Sequence, residues 1–331
     1  MEFNKTWRAC ACVGGLSIAA SLAACSAQTS SGSRDDIGGE RYRSLETAAV
    51  TPPTQSLQER GPHAIKTVFL IMMENHNWSQ IKGNPSAPYI NDTLLRIGAH
   101  AENYVSGAIH PSEPNYIWLE AGSDLGIAND AAPAYNDRTT HAHLSTFFDA
   151  ANVSWKSYQE GIAGDACPLT ASGFYDPKHN PMVFFDDVRP TCVAHVRPYA
   201  ELAKDLAGQT ADYNFITPNL CNDMHGASGC PNGDQIASGD AWLSTEVPKI
   251  MASEAYLTGG AIFITWDEGG GSDGPVGMIV VSPFARAGYA GSVAYSHSST
   301  LRTVQEIFAV QPYLRAAQDA TSLSDLFVSY P

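Results

Sequence analysis

Short apolar runs of strand character alternate with segments of helical periodicity along the body of the chain. The strand-like runs span residues 66–73, 153–158, 212–217, 260–266 and 277–282. The helical patterns span residues 86–97, 113–121, 143–151, 240–256 and 299–309. Strands that alternate with helices usually build a parallel sheet covered by helices. The pattern therefore predicts an α/β fold with a mainly parallel central sheet.

Two of the strand-like runs end in pairs of oxygen-bearing side chains. Glu74 and Asn75 follow the first run, and Asp267 and Glu268 follow the run over 260–266. Ligands of open α/β sheets bind outside the carboxyl ends of the strands. We therefore expect three carboxylates and one amide oxygen to meet there. Such an all-oxygen set suits one divalent cation.

The identity of that cation stays open between two groups of metals. Oxygen ligands favour magnesium, calcium or manganese, which are hard cations. Zinc becomes the better candidate if His225 or His297 also coordinates.

Composition and charge limit the classes of partner. The chain has 331 residues, 44% of them hydrophobic, and can bury a substantial core. Its formal charge of -15 argues against nucleic acid or an anionic membrane surface as a general partner. A phosphate-bearing substrate would need local positive charge, which a bound cation supplies.

The first residues read as an export signal. Lys5 and Arg8 precede an apolar, small-residue stretch, and Leu22 to Cys25 resembles a bacterial lipobox. The resemblance implies a signal peptide over 1–24, lipidation of Cys25 and anchoring to a membrane of the cell envelope, in the periplasm or at the cell surface. Cleavage of an ordinary signal peptide near Ala27 is the alternative.

Beyond the signal, composition predicts two segments. Residues 25–62 are rich in Ser, Gly, Pro, Thr and charge without periodicity, which is typical of a flexible tether. Residues 63–331 are then expected to form the catalytic domain.

Cysteine counting agrees with export. Apart from Cys10, Cys12 and Cys25, the chain has Cys167, Cys192, Cys221 and Cys230. An even set in an exported protein predicts disulfides, and pairing 167 with 192 and 221 with 230 closes two short loops. A Cys/His zinc site is a weaker alternative, because no Cys-x-x-Cys occurs.

Ser112 lies just before a helical pattern and has two interpretations. It can cap the helix, with Pro114 in the first turn. Alternatively, the helix dipole and a nearby cation stabilise its alkoxide and make it a nucleophile toward phosphorus.

Six motifs in chain order resemble the bacterial phosphoesterase family. That family groups secreted acid phosphatases, a mycobacterial one among them, with larger phospholipases C. The match runs from about His63 to about Val310, and the order and spacing make the set specific. The motifs are Glu74 to His76, His110 to Tyr116, Lys178 to Pro181, Asn222 to His225, Gly239 to Leu243 and Thr265 to Glu268.

The resemblance implies an alkaline-phosphatase-like, three-layer α/β/α sandwich and a phosphoenzyme mechanism. The two strand-end pairs are similar to the family's metal ligands, and Ser112 falls where the family has its nucleophile. Asn115 would hold a phosphoryl oxygen. His179, Asp223 and His225 would line the pocket as phosphate donors or as the acid that protonates the leaving group.

Three functions follow from these observations. The first is an exported, metal-dependent acid phosphatase that hydrolyses phosphate monoesters through a Ser112 phosphoenzyme. The second is a phospholipase C-type phosphodiesterase that acts on phospholipid headgroups. The third is a lipoprotein that binds at the surface without catalysis. The expected partner is a phosphorylated small molecule or a phospholipid headgroup, with no nucleic acid and no obligate protein partner.

Several other side chains have structural interpretations. His141 and His143 are expected at a solvated helix start, and His297 is either a surface or a pocket residue. Asp240 is expected to cap the helix that follows it. Trp155, Tyr158 and Trp242 are expected in the core.

Overall fold

The computed structural model describes residues 65–107, 109–164, 167–271 and 273–331. The signal peptide, the lipidated Cys25 and the tether predicted from the sequence lie outside this part of the chain. Among the described residues, no helix has the length and apolar character needed to span a membrane.

The structure alternates strands with helices, as the pattern predicts. The strands are β1 (Thr67–Met73), β2 (Ala99–Ala101), β3 (Tyr104–Val105), β4 (Trp155–Gln159), β5 (Val196–Pro198), β6 (Tyr213–Thr217), β7 (Gly260–Trp266), β8 (Met278–Val281), β9 (Ala290–Gly291) and β10 (Tyr295–Ser296). The α-helices are α1 (Trp78–Ile81), α2 (Leu95–Ile97), α3 (Ser112–Ala121), α4 (Pro133–Asn136), α5 (Leu144–Ala151), α6 (Cys192–His195), α7 (Leu202–Leu206), α8 (Gln235–Met251), α9 (Glu254–Leu257) and α10 (His297–Ile307). A π-helix covers Ile90–Leu94, and 3₁₀ turns cover Pro177–His179, Pro181–Phe184, Arg189–Thr191, Tyr199–Glu201, Arg315–Gln318 and Leu323–Leu326.

Within the described residues, eight strands form one central sheet in the order β5-β4-β6-β1-β7-β8-β2-β9. The strands from β5 to β7 are parallel, and β8 runs antiparallel to both of its neighbours. β1 and β7 lie side by side at the centre, and every residue of both is buried. Strands buried on both faces read as continuous apolar runs, which explains why the sequence located these two so well.

All five predicted strands and the main helices are confirmed, while the shortest strands were missed. Strands β2, β3, β5, β9 and β10 have only two or three residues each and carry no period-2 pattern long enough to detect. The predicted helix over 240–256 begins earlier, at Gln235, and ends at Met251.

The earlier start changes the interpretation of Asp240, which lies inside α8. The prediction that it caps its own helix is wrong. Its carboxylate accepts hydrogen bonds of 2.9 and 2.8 Å from the backbone N–H groups of Tyr89 and Ile90. Asp240 therefore caps the helical segment that contains the π-helix Ile90–Leu94. This contact joins α8 to that segment.

Both predicted disulfides form, Cys167 with Cys192 and Cys221 with Cys230. The three aromatic side chains expected in the core, Trp155, Tyr158 and Trp242, are all buried.

His141 and His143 do not share one environment. His141 is exposed, but the prediction of a solvated His143 is wrong, because its side chain is 0% exposed. The backbone at His143 is extended, with φ -147° and ψ 166°. Its imidazole lies between the carboxylates of Glu120 and Asp187, and these two partners hold the ring inside the protein.

Candidate active site

The two strand-end pairs emerge next to each other at the centre of the sheet. The backbone N–H of Asn75 donates a 2.9 Å hydrogen bond to Oδ1 of Asp267. Its side-chain Nδ2 donates a 2.9 Å hydrogen bond to Oε1 of Glu268. Glu74, the residue before Asn75, is fully buried. The structure thus brings all four predicted ligand residues together, because their strands are parallel neighbours.

Two oxygens of this group are buried and have no hydrogen-bond partner. They are Asn75 Oδ1 and Asp267 Oδ2. Buried polar atoms in proteins are nearly always satisfied, so an unpaired one needs an explanation. A hard divalent cation coordinated by oxygen would satisfy them. The residues present therefore fit the cation that the sequence predicts.

The carboxylates also carry an excess of negative charge. Burial raises the pKa of Glu74 well above its usual range, and the charges of Asp267 and Asp223 raise it further. Burial raises the pKa of Asp267 to about 6. Burial and the charge of Asp267 raise that of Glu268 to about 7. A divalent cation would relieve this repulsion between like charges.

A more compact set of donor atoms lies elsewhere on the molecule. Within the described residues, His141, Asp186 and Asp187 place one donor atom each within 4.8 Å of one another. The His141 side chain is 65% exposed, and exposed acidic groups of this kind are common without an ion. The strand-end group is looser, but it is buried and has unpaired oxygens. We therefore regard the strand ends as the better cation site.

Ser112 is the first residue of α3 and is buried beside Glu74. Pro111 occupies the N-cap position, and no side-chain cap hydrogen bond forms there. The Ser112 hydroxyl instead donates a 3.0 Å hydrogen bond to Oε2 of Glu74. The interpretation of Ser112 as a helix cap is therefore wrong, because the helix begins one residue earlier than a capping serine requires. The hydroxyl points toward the strand ends.

Asn115 lies one turn further along α3 and is fully buried. Its Nδ2 donates a 3.0 Å hydrogen bond to the carbonyl of Ile109, while its Oδ1 has no partner. The same nitrogen lies 3.4 Å from Oε2 of Glu268. Asn115 thus borders the predicted site, and its amide also holds the loop that leads into α3.

His179 and Asp223 reach the same region from the loops after β4 and β6. Nε2 of His179 lies 3.0 Å from Oε1 of Glu74 but lacks hydrogen-bond geometry and has no partner. Its Nδ1 lies 3.5 Å from Oδ2 of Asp223. Burial lowers the pKa of His179 well below its usual range. This favours the neutral form of the imidazole at this position.

His225 is close to this pair but less buried. Its ring centroid is 5.9 Å from that of His179, and its backbone N–H donates a 2.7 Å hydrogen bond to Oδ1 of Asp223. All three residues that the resemblance placed in the pocket are therefore neighbours.

Two side chains that sequence reasoning left without a role contact the site directly. The Tyr116 hydroxyl donates a 2.5 Å hydrogen bond to Oε1 of Glu74. Residues four apart share one face of a helix, so the spacing between Ser112 and Tyr116 was an available signal. His110 lies between Oε2 of Glu268 at 2.7 Å and Oδ1 of Asp273 at 2.8 Å. It ties the site to the glycine-rich loop after β7.

His297 proves to be buried, which decides between its two interpretations. Its Nε2 donates a 2.6 Å hydrogen bond to the backbone carbonyl of Asp267, and Tyr104 lies 3.0 Å from Nδ1. Burial lowers the pKa of His297 to about 4, which keeps the ring neutral. Both ring nitrogens are engaged, and the bond from Nε2 ties the ring of His297 to the main chain of Asp267.

Comparisons with known proteins agree with this geometry. The Phosphoesterase family matches residues 92–311 of the chain. A phosphatidylinositol-3-phosphatase of Mycobacterium tuberculosis is 28% identical over 263 residues, which cover 78% of this chain and 82% of that protein. A probable acid phosphatase of Kluyveromyces lactis is 25% identical over 68% of this chain and 52% of its own length. An acid phosphatase of Aspergillus niger is 28% identical over 60% of this chain and 47% of its own length.

Solved structures share the fold at low sequence identity. A protein of the alkaline phosphatase superfamily from Vibrio parahaemolyticus has a TM-score of 0.57 and 9% identity, covering 87% of this chain and 79% of that one. A phosphonate monoester hydrolase of Agrobacterium radiobacter has a TM-score of 0.52 and 13% identity, covering 80% and 78%. The predicted alkaline-phosphatase-like fold, the family resemblance and the assignment as a phosphoric ester hydrolase are thereby confirmed.

Proposed function

Because this chain belongs to the phosphoesterase family, we propose that it is an acid phosphatase that hydrolyses phosphate monoesters through a phosphorylated Ser112. One observation carries this proposal. The Ser112 hydroxyl is at the start of a helix, does not cap it, and hydrogen-bonds to Glu74 at the ends of the central strands. A hydroxyl held beside an acidic group at a helix N-terminus suits nucleophilic attack on phosphorus.

A divalent cation would be held by Glu74, Asn75, Asp267 and Glu268. When bound, it would neutralise negative charge on the phosphoryl group and favour the ionised form of a nearby hydroxyl. The unpaired oxygens support this assignment, and the all-oxygen set favours magnesium, calcium or manganese. Both nitrogens of His297 are engaged, which weakens the case for zinc.

The chain's own residues would then perform two displacements. Oγ of Ser112 would form a bond to phosphorus and pass its proton to Oε2 of Glu74, while the bond to the leaving oxygen breaks. Asp223 would protonate the leaving oxygen, since burial keeps the pKa of its carboxyl well above the usual range. Water would then attack the phosphorus and give one proton to Asp223, while the bond from phosphorus to Oγ of Ser112 breaks, Oγ recovers its proton from Glu74 and inorganic phosphate leaves.

His179, His225 and Asn115 would surround the transferred phosphoryl group. Nε2 of His179 is buried without a hydrogen-bond partner, which supports a role in binding an oxygen of the substrate. The relative from Mycobacterium tuberculosis is named a phosphatidylinositol-3-phosphatase. This similarity favours the monoester reaction over the phospholipase C-type reaction. Every predicted ligand and nucleophile position is intact, which argues against the non-catalytic alternative.

We further propose that the mature protein is exported and anchored through a lipid on Cys25. The two disulfides support export, because such bonds persist in oxidising compartments. Metabolic labelling with palmitate in the host cell tests the anchor, with Cys25→Ala as the comparison. Label retained by Cys25→Ala would overturn this assignment.

The central experiment measures p-nitrophenyl phosphate hydrolysis from pH 4 to 9, with and without EDTA. Ser112→Ala is compared with Ser244→Ala, a serine exposed on α8. We expect EDTA and Ser112→Ala each to abolish activity, and Ser244→Ala to leave it unchanged. Mass spectrometry of rapidly quenched enzyme should find phosphate on the peptide that contains Ser112.

Other outcomes select the alternatives. Activity that survives Ser112→Ala excludes the covalent mechanism. Hydrolysis of p-nitrophenylphosphorylcholine without hydrolysis of the monoester indicates the phosphodiesterase, and failure to hydrolyse either substrate indicates a binding protein.

A further inference from the structure

Lys178 lies at the edge of the candidate site, in the 3₁₀ turn that also carries His179. Its Nζ is 3.2 Å from Oδ2 of Asp130, and only 14% of its side chain is exposed. The turn is fixed in place, because the backbone N–H of Lys178 donates a 3.1 Å hydrogen bond to Asp176. A long, flexible cation is thus held in one position.

Asp130 connects this lysine to the helix that begins at Ser112. Its Oδ1 accepts a 3.0 Å hydrogen bond from the backbone N–H of Glu113, the residue directly after Ser112. One carboxylate therefore touches both the first turn of α3 and the ammonium of Lys178. Lys178 and the residue that follows the proposed nucleophile thus share one partner.

The charges around the site indicate a function for the Lys178 ammonium. The positive charge of Lys178 acts on Glu74 and Asp223, where it opposes the rise in pKa that burial causes. A phosphate monoester carries about −1.5 to −2 charges at pH 7. It must approach a group of carboxylates on a protein whose formal charge is -15. An ammonium offers three donors and no acceptor, which suits binding of phosphate oxygens.

We propose, on the basis of the function proposed above, that Lys178 binds the phosphate of the substrate and favours doubly charged monoesters over singly charged diesters. On substrate binding, the ammonium turns from Asp130 to a non-bridging phosphoryl oxygen. Asp130 holds the ammonium in place when the site has no substrate. A second negative charge on the substrate strengthens its attraction to the ammonium, so the loss of Lys178 affects the monoester most.

A purely structural salt bridge would predict different behaviour, and two variants separate the cases. Lys178→Met removes the charge but keeps much of the side-chain length. Asp130→Asn removes the partner's charge and keeps an oxygen that can accept from the Glu113 N–H. If the pair is only structural, both changes weaken activity alike. If Lys178 binds phosphate, Asp130→Asn frees the lysine for the substrate.

The experiment measures kcat and KM at pH 7 for p-nitrophenyl phosphate and bis-p-nitrophenyl phosphate, together with inhibition by inorganic phosphate. We expect Lys178→Met to raise KM for the monoester and the inhibition constant of phosphate at least about tenfold, as loss of a charge-assisted hydrogen bond does. The effect on kcat and on the diester should be smaller. Lys178→Arg should retain most of the monoester preference, and Asp130→Asn should keep KM at or below the wild-type value.

Lys82→Met is the matched control, because Lys82 forms an ion pair with Glu102 in which both side chains are more exposed. It should leave all constants unchanged. Equal increases of KM in Lys178→Met and Asp130→Asn, or no increase in Lys178→Met, would overturn the proposal. If Lys178→Met does not fold, Asp130→Asn still tests the proposal. A monoester KM above the wild-type value in that variant would overturn the proposal.

A binding measurement separates this inference from the proposed function. Calorimetric titration of inorganic phosphate into Ser112→Ala, and into the double variant Ser112→Ala with Lys178→Met, requires no turnover. We expect the double variant to bind phosphate at least about tenfold more weakly. Equal affinity of the two variants for phosphate contradicts the role of Lys178. If the variants differ in affinity but the wild-type chain is inactive, only the proposed reaction is contradicted.

Discussion

The hydroxyl of Tyr116 donates a 2.5 Å hydrogen bond to Oε1 of Glu74, while the hydroxyl of Ser112 donates to the other oxygen of the same carboxylate. Both hydroxyls come from one face of α3, four residues apart. The ring of Tyr116 also stacks on that of His179, with centroids 5.0 Å apart. Glu74 is thus oriented by the helix that carries the proposed nucleophile.

The first prediction concerns this hydrogen bond. Tyr116→Phe should weaken activation by the divalent cation about 10–100-fold, the usual cost of removing a group that orients a ligand. The measurement titrates cation into chelator-treated enzyme and follows p-nitrophenyl phosphate hydrolysis. Tyr135→Phe is the control, because Tyr135 is 83% exposed. Unchanged cation affinity and unchanged kcat in Tyr116→Phe would contradict a role for this hydroxyl.

The second prediction concerns the hydrogen bond from His297 to the Asp267 carbonyl. His297→Phe should lower the free energy of unfolding by about 1–3 kcal/mol, because it leaves a buried carbonyl without a donor. It should also reduce kcat, since Asp267 loses its position. Urea unfolding and steady-state kinetics measure the two effects, and His141→Phe at an exposed position is the control. If His297→Phe is destabilised but keeps the wild-type kcat, His297 contributes to the stability of the fold and not to catalysis.

The third prediction concerns the repulsion among the carboxylates at the strand ends. A divalent cation at 100 times its Kd should stabilise the chain by about 2.7 kcal/mol and raise Tm by several degrees. Asp267→Asn should raise Tm in EDTA, because it removes one of the repelling charges and keeps an acceptor for the Asn75 N–H. The same variant should lose most of the response to cation.

Thermal melts in EDTA and in cation check this prediction, with the exposed Asp319→Asn as the control. A full cation response in Asp267→Asn would place the cation elsewhere, and the group of His141, Asp186 and Asp187 would then be tested next.

The fourth prediction concerns the buried His143. Its Nδ1 lies 3.0 Å from Glu120 and its Nε2 2.9 Å from Asp187. Burial acts to lower the pKa of His143, but the hydrogen bonds and charges of Asp187 and Glu120 outweigh it and raise the pKa above its usual value. The native state thus holds the proton more tightly than the unfolded chain. This stabilisation is complete below about pH 6.5, the unfolded pKa.

As the pH rises through the raised pKa of the native state, this stabilisation is lost. The free energy of unfolding of the wild type should therefore exceed that of His143→Gln most below about pH 6.5, and the difference should shrink at alkaline pH. Urea titrations from pH 5 to 9 measure it, with His141→Gln as the exposed control. A difference that does not depend on pH would show that the pKa of His143 is the same in the native and unfolded states, and would contradict this prediction.

The sequence by itself determined the central architecture and the residues at the strand ends. β1 and β7 are buried on both faces, so their apolar runs are continuous and their ends are marked by Glu74 and Asp267. The α/β pattern then placed both ends at the same edge of a parallel sheet. Cysteine counting likewise gave both disulfides, because each closes a short loop. These features depend on residues close together in the chain or on a rule of topology.

Only the tertiary structure decided which side chains orient those residues. Tyr116 and His297 contact Glu74 and Asp267, which lie 42 and 30 residues away, and no local pattern encodes such distances. The same reason explains the wrong assignments of Asp240 and His143, whose local positions suggested a cap and a solvated helix start. Each is instead buried against a distant segment, since a buried carboxylate or imidazole requires a partner wherever the fold supplies one.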